Sequence, residues 1–582
     1  MDLQKKLTRA FVVTFALLMG LGAHYFQHNQ GGSGLELAQN NVVWIFFSAL
    51  IGLGLWQITL QEKIFYSRFT LVFLSAILLF CIPLLYPNNQ LADQSYTRLL
   101  GLFAGFLLFI SLQQLQFTRR NIERLLALIV LAGFLQACYS LTQDYLLPAD
   151  NLLGYDIGYG RPYGIFQQPN VLASFMATTL ILAGYLLQQS KDKKLQIFYL
   201  LTALLNMWVI TISVSRSGYL GALIALVLFF PWAWQTNKQK LGIFILAILL
   251  GLGLASTKGE DILAKRNIDN MTEGGGRLVH YSNSWDMIKK HPLIGYGYGG
   301  FEKNYLMNTA ERVKNNKSKP EHAHLTHPHN DILFWAVEGG VVPLIAIFLL
   351  VIGFIRLLRP FKFTHAMALL ALVVPISLHT QTEYPLYHSA LHWLVLLLLV
   401  FYIDSQSENS RQKMFRLTFA LRAFALLIPI GATLFMISNL HTMSKITAFE
   451  RSKEPNIQLL LDVVNPLVYE DRFEFHLNNF RLAVAIQMNN QEEIEKIINW
   501  TEKTIESKPR SFFYLILYLA YLNNNQPEQA QQTLEYARYL YPNDQQLAAV
   551  EKQKSEAAAS SSAQSSLASF KEEKALDSQL TE

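Results

Sequence analysis

Long apolar runs alternate with short polar breaks from the N-terminus to about residue 438, where the pattern stops. As a helix, a run of about twenty apolar residues can cross the hydrocarbon of a bilayer. The pattern predicts about thirteen such helices, near residues 10–26, 41–60, 69–86, 99–117, 125–147, 169–188, 195–213, 218–234, 241–256, 331–355, 363–379, 389–404 and 416–438. Lys5, Lys6 and Arg9 ahead of the first run, with Gly20 and Gly22 behind it, imitate a cleavable signal peptide. With so many spans following, a retained first helix is expected.

From about Glu454 to Lys552 the chain is polar with helical periodicity. Asn523-Asn524-Asn525-Gln526-Pro527 interrupts one helical run, and Tyr541-Pro542-Asn543-Asp544 ends the next. With Ala530 and Ala537 between them, this resembles a tetratricopeptide-type hairpin. Residues 553–582, rich in Ala, Ser, Glu and Lys, offer too little apolar surface to hold a fold. The expected fold is therefore all-α: a polytopic membrane protein with a C-terminal helical, tetratricopeptide-like domain. Its divisions are membrane helices over 1–256 and 331–438, a large polar loop over 257–330, the helical domain over 439–552 and a disordered tail over 553–582.

Composition agrees, with 52% of residues apolar and 15% charged. The net charge of +6 is no footprint of nucleic acid, because the basic residues sit in short loops. One set of loops holds Lys5, Lys6 and Arg9; Lys63 and Arg68; Arg119, Arg120 and Arg124; Lys191, Lys193 and Lys194; Lys238 and Lys240; Arg356, Arg359 and Lys362; and Arg411, Lys413 and Arg416. The alternate short loops hold Arg98 and Arg161. Basic loops stay in the cytoplasm, which fixes the N-terminus there. The segments 148–168, 257–330 and 380–388 and the C-terminal domain then share the opposite side. Cys81 and Cys138 lie inside apolar runs and are packing residues rather than a disulfide pair.

The chemistry-bearing residues gather on that opposite side. Arg161 lies in Gly-Arg-Pro-Tyr-Gly, shortly before Gln168, Pro169 and Asn170. Arg216 lies in Ser-Arg-Ser-Gly between two spans, and Arg277 follows three glycines. Arginine at a membrane boundary is costly unless paired or hydrated. Its fork of donors matches phosphate oxygens, so these three form a candidate anion clamp, with a snorkelling interface residue as the plainer alternative. Four histidines, His322, His324, His327 and His329, fall within eight positions ahead of the span that opens at Asp331. A metal site is conceivable from the two H-x-H pairs, but that spacing is common. His329, with His327 beside it, precedes Asn330 at the start of a helix, where a neutral imidazole can accept a hydroxyl proton. Glu338, about two turns further on, is either a packing residue or a supporting carboxylate. The loop His379–His388 contributes Glu383 and Tyr384.

Ser215-Arg216-Ser217-Gly218, Gly276-Arg277 with Trp285, His291-Pro292-Leu293-Ile294-Gly295-Tyr296-Gly297, and His327-Pro328-His329-Asn330 with Glu338-Gly339 occur in this order. Together they resemble the O-antigen ligase and polymerase superfamily. Arg161-Pro162-Tyr163-Gly164 with Gln168-Pro169-Asn170, Glu383-Tyr384-Pro385-Leu386 and the helical tail are similar to its protein O-oligosaccharyltransferases of the PglL and pilin-glycosylating type. The resemblance implies a bacterial inner-membrane enzyme with its site and C-terminal domain in the periplasm. It would move a glycan en bloc from undecaprenyl diphosphate to a serine or threonine of a pilin or other periplasmic protein. His329, with His327, would be the base. Arg216, Arg277 and Arg161 would hold the diphosphate, and Gln168, Asn170, Asn330, Glu338, Glu383 and Tyr384 would complete the substrate site. No metal or cofactor is needed. An O-antigen ligase, an O-antigen polymerase and a flippase or transporter are the rival readings, in that order.

Overall fold

A computed structural model describes residues 2–256, 276–317, 325–407, 410–453, 456–550 and 552. Helices dominate. In the first half they are α1 Asp2–Gly20, α2 Ala38–Gln61, α3 Arg68–Cys81, α4 Tyr96–Gln114, α5 Arg119–Tyr145, α6 Pro169–Gln189, α7 Lys193–Ile212, α8 Arg216–Thr236 and α9 Lys238–Ser256. Two more polar helices follow, α10 Arg277–Lys290 and α11 Phe301–Lys314, then α12 Asp331–Gly339, α13 Val341–Leu358, α14 Phe363–His379, α15 Pro385–His388, α16 Ala390–Ser405 and α17 Thr418–Arg451. Beyond them are α18 Gln458–Leu461, α19 Glu470–Gln487, α20 Gln491–Ser507, α21 Ser511–Asn523 and α22 Pro527–Leu540. Among the described residues, 11 helices are long and apolar enough to cross a membrane. The shorter apolar helices α14 and α16 supply the other two of the spans expected from sequence.

Local chemistry sets where these helices begin. The side chains of Thr118, Gln168, Asp192 and Ser215 each accept a first-turn amide, which would otherwise lack a partner. Small residues then let helices approach. A Cβ added to Gly133 of α5 would fall 2.4 Å from Thr179 Oγ1 of α6. Helix α6 is buried along nearly its whole length and forms the centre of the bundle. A short antiparallel ribbon, β1 Lys63–Tyr66 against β2 Arg411–Met414, joins two basic loops and has no counterpart in the apolar pattern.

The expected span at 331–355 is two helices. Gly340 adopts φ 66° and ψ −142°, a conformation open only to glycine, and ends α12 after nine residues. The segment after His291 packs into this break: Tyr296 N–H donates to the Val337 carbonyl (2.8 Å), Gly297 N–H to Glu338 (3.0 Å) and Val341 N–H to Leu293 (3.2 Å). The last expected span also runs on. Helix α17 has 34 residues, about 51 Å of helix against roughly 30 Å of hydrocarbon.

The chain forms two compact units, 1–299 with 327–473, and 300–326 with 474–582. Residues 439–473 thus stay with the membrane helices, held by a cluster of Ala38, Met443, Ile446, Leu460 and Tyr469. In the second unit, Leu306 and Ala310 of α11 share a core with Leu482, Ile494, Ile497, Phe513 and Leu534. Glu302 of α11 pairs with Arg510 at 2.7 Å in the same unit. Asn489 and Asn525, at positive φ, turn the chain between α19 and α20 and between α21 and α22. The tetratricopeptide reading of these helices rests on the sequence pattern alone.

Candidate active site

The carboxylate of Glu383 is the hub of the first unit's polar cluster. The loop after α14 carries it, and its amide donates to the His379 carbonyl that ends that helix (2.9 Å). Glu383 Oε2 lies 2.7 Å from His329 Nδ1, and Oε1 lies 2.5 Å from an Arg277 nitrogen. Asn170 Nδ2 also donates to Oε1, at 3.2 Å. Burial alone would raise this acid. The hydrogen bond and charge of His329, with the Arg277 guanidinium, outweigh it and bring Glu383 down from 4.5 to about 2.

The two histidines are not equivalent. His329 takes a left-handed conformation, φ 57°, and its N–H donates to His327 Nδ1 at 3.0 Å. That nitrogen of His327 must therefore hold a lone pair. The His327 hydrogen sits on Nε2, which donates to Asp331 Oδ1 at 3.1 Å. Burial, then the neighbouring His329 and the Arg98 guanidinium, hold His327 well below its ordinary range, so it stays neutral. The His327 side chain is 7% exposed and that of His329 is 24% exposed. With Nδ1 given to Glu383, His329 keeps Nε2 for a reacting group. Tyr384 lies against both imidazoles, with ring centroids 4.9 and 5.4 Å away.

Helix α10 turns one face to this cluster. Arg277, His280 and Tyr281, at spacings of three and four, are neighbours on a helix surface. Arg277 pairs with Glu383, the His280 ring lies 5.8 Å from His329, and the Tyr281 hydroxyl donates to the His329 and Gln381 carbonyls at 3.2 and 2.9 Å. Arg216 opens α8 and is partly exposed. Its neighbour Ser215 donates to Asn170 Oδ1 at 2.8 Å, and so joins the chain that ends on Glu383. Arg161 Nε donates to the Ser213 carbonyl at 2.7 Å, in the same turn.

Other expected site residues have supporting positions. Gln168 caps α6 through Val171, and Asn330 caps α12 through Leu333 while holding the Gln381 carbonyl at 3.1 Å. Glu338, expected as a packing residue or a supporting carboxylate, is buried beneath an arginine. It is 2% exposed and engages Arg98 at 2.5 Å, with the guanidinium 4.2 to 5.1 Å from the ring centres of Trp335, Phe334 and Tyr298. Glu321, His322 and His324 lie outside the described residues. Sequence reasoning assigned no role to Asp331, Arg98 or His280. The spacings His327 to Asp331 and Arg277 to His280 were the available signals.

Comparison with known proteins follows the same residues. The O-antigen ligase family matches 201–349, which holds Arg216, Arg277, His327 and His329. The protein glycosylation ligase family matches 162–187, which holds Gln168 and Asn170. The C-terminal family of virulence-factor membrane-bound polymerases matches 367–556. A general O-oligosaccharyltransferase of Acinetobacter baylyi is 22% identical over 402 residues, covering 66% of this chain and 67% of that protein. The chain is an oligosaccharyltransferase-type enzyme, similar to the O-antigen ligase and protein glycosylation ligase families over these segments. In this oligosaccharyltransferase the matched segments meet at one carboxylate, since Asn170, Arg277 and His329 all contact Glu383.

Proposed function

We propose that the protein transfers an oligosaccharide en bloc from undecaprenyl diphosphate to a serine or threonine of a periplasmic protein such as a pilin. The observation that carries this reading is the His329–Glu383 hydrogen bond, with Arg277 on the same carboxylate. A carboxylate on Nδ1 holds the imidazole in one tautomer and supports the imidazolium, the arrangement of a general base. In the reaction the acceptor hydroxyl attacks the anomeric carbon and its proton passes to His329 Nε2. The bond between that carbon and the phosphate oxygen breaks, and the electron pair leaves on the diphosphate. Arg277, Arg216 and Arg161 bind and neutralise that group, so no separate strong acid is required. His327, with both nitrogens engaged, shapes the His329 turn instead of accepting the proton. Tyr384 lines the acceptor side, and the apolar helices flank the polyprenyl tail. The site faces the periplasm from the inner membrane, as the distribution of basic loops supports.

An O-antigen ligase reading is the second one. The match over 201–349 favours it, because the same chemistry would serve a lipid acceptor. The test is reconstitution of purified protein with an undecaprenyl-diphosphate glycan and two acceptors, a pilin and a lipid A–core. A glycan-sized mass gain on the pilin supports the proposal. A gain on the lipid core alone replaces it with the ligase, and no product with either acceptor refutes both.

A further inference from the structure

His280 lies one helical turn beyond Arg277 and is partly exposed. Its ring stands 5.8 Å from that of His329 at an interplanar angle of 25°, an offset stack. Tyr281, the next residue, fixes α10 to the backbone of His329 and Gln381 at 3.2 and 2.9 Å. The stack therefore belongs to a braced arrangement.

We propose that His280 is a positioning residue of the transfer step, its ring face holding the His329 imidazole and stabilising the imidazolium formed when the acceptor proton arrives. The inference rests on the proposed role of His329 as base. A cation over an aromatic face is attracted by the ring's electron density, and a neutral imidazole supplies such a face. Around His329, the loop after α14 supplies the Glu383 carboxylate and the Tyr384 ring. Helix α10 supplies the Arg277 guanidinium, the Tyr281 hydroxyl and His280, and His327 precedes it in the chain. Glu383 favours the imidazolium and Arg277 opposes it. An uncharged ring face at this position adds to the favourable side without adding charge. A protonated His280 would do the reverse, which gives the idea a sign.

The test compares His280→Ala, which removes the face, with His280→Phe, which keeps a face that cannot titrate. Donor binding is measured alongside and should be retained by both variants. For His280→Ala, the acidic limb of the kcat profile should move to lower pH and plateau kcat should fall by about two- to fivefold. His280→Phe should restore both, with KM for the acceptor unchanged. A limb that moves to higher pH in both variants would make His280 a cation and overturn the proposal, as would an unchanged profile in His280→Ala. NMR titration of labelled histidine in the full chain reads the same His329 shift without turnover. A failure of the transferase reading therefore stays distinguishable from a failure of this one.

Discussion

Replacing Glu383 with Gln keeps the size of the side chain and removes its charge. The fall of this acid from 4.5 to about 2 corresponds to roughly 3 kcal/mol in favour of the carboxylate, after its burial has been counted. The side chain is 11% exposed, so solvent screens little of that. His329, Arg277 and His379 supply it, and in the proposed mechanism only His329 gains charge during the reaction. If most of the interaction serves the His329 imidazolium, its loss should lower kcat by about a hundredfold. Donor binding should respond differently. On the proposed role of Arg277 in holding diphosphate, loss of the carboxylate that now pairs with it frees the guanidinium, so donor Kd should hold or tighten. The assay is single-turnover transfer at saturating donor, followed by intact mass of the acceptor, with donor Kd measured separately. A kcat within about threefold of wild type would refute the reasoning. So would loss of donor binding with turnover intact. The Glu383→Gln/His329→Ala double variant should be no worse than its poorer parent, because one catalytic unit has been removed twice.

Arg277→Ala should abolish donor binding and His329→Ala should leave it intact while losing turnover by about 10²- to 10⁴-fold, both checked by donor Kd and single-turnover rate. Arg98→Met should strand Glu338 and destabilise the protein by about 3–5 kcal/mol, and adding Glu338→Gln should recover part of that in thermal unfolding in detergent. Gly340→Ala should lower the melting midpoint sharply, because its Cβ would meet the Leu293 carbonyl oxygen at 2.2 Å in a conformation that excludes side chains. On acidification, the stability contributed by Glu383 is complete above 4.5 and is lost as pH falls through about 2. Wild-type melting should therefore drop across that window more than Glu383→Gln melting.

The membrane helices were legible because apolar length is a one-dimensional property. Each expected span has a helix, and the errors lie where glycine geometry or helix continuity decides, at Gly340 and in α17. The polar residues that meet at Glu383 also stood out in the sequence, as unusual groups in loops. Their roles were not. Nothing in the spacing of Glu383 or Glu338 says that one faces His329 and the other is sealed under Arg98, because the partners are separated by 54 and 240 positions. His327 and His329 look alike in sequence. A backbone turn only two residues long, with the His329 amide on His327 Nδ1, separates them.

The place of α11 in the core of the second unit bears on how such proteins can recombine. A crossover that brought in a new C-terminal module at a single point near residue 474 would strip α11 of its partners Leu482, Ile494 and Phe513. A viable exchange needs two junctions, one ahead of Phe301 and one behind Thr326, together with the tail itself. C-terminal modules on this scaffold should then be inherited as a matched pair of segments, and chimaeras spliced at one seam should express poorly however similar their membrane helices are.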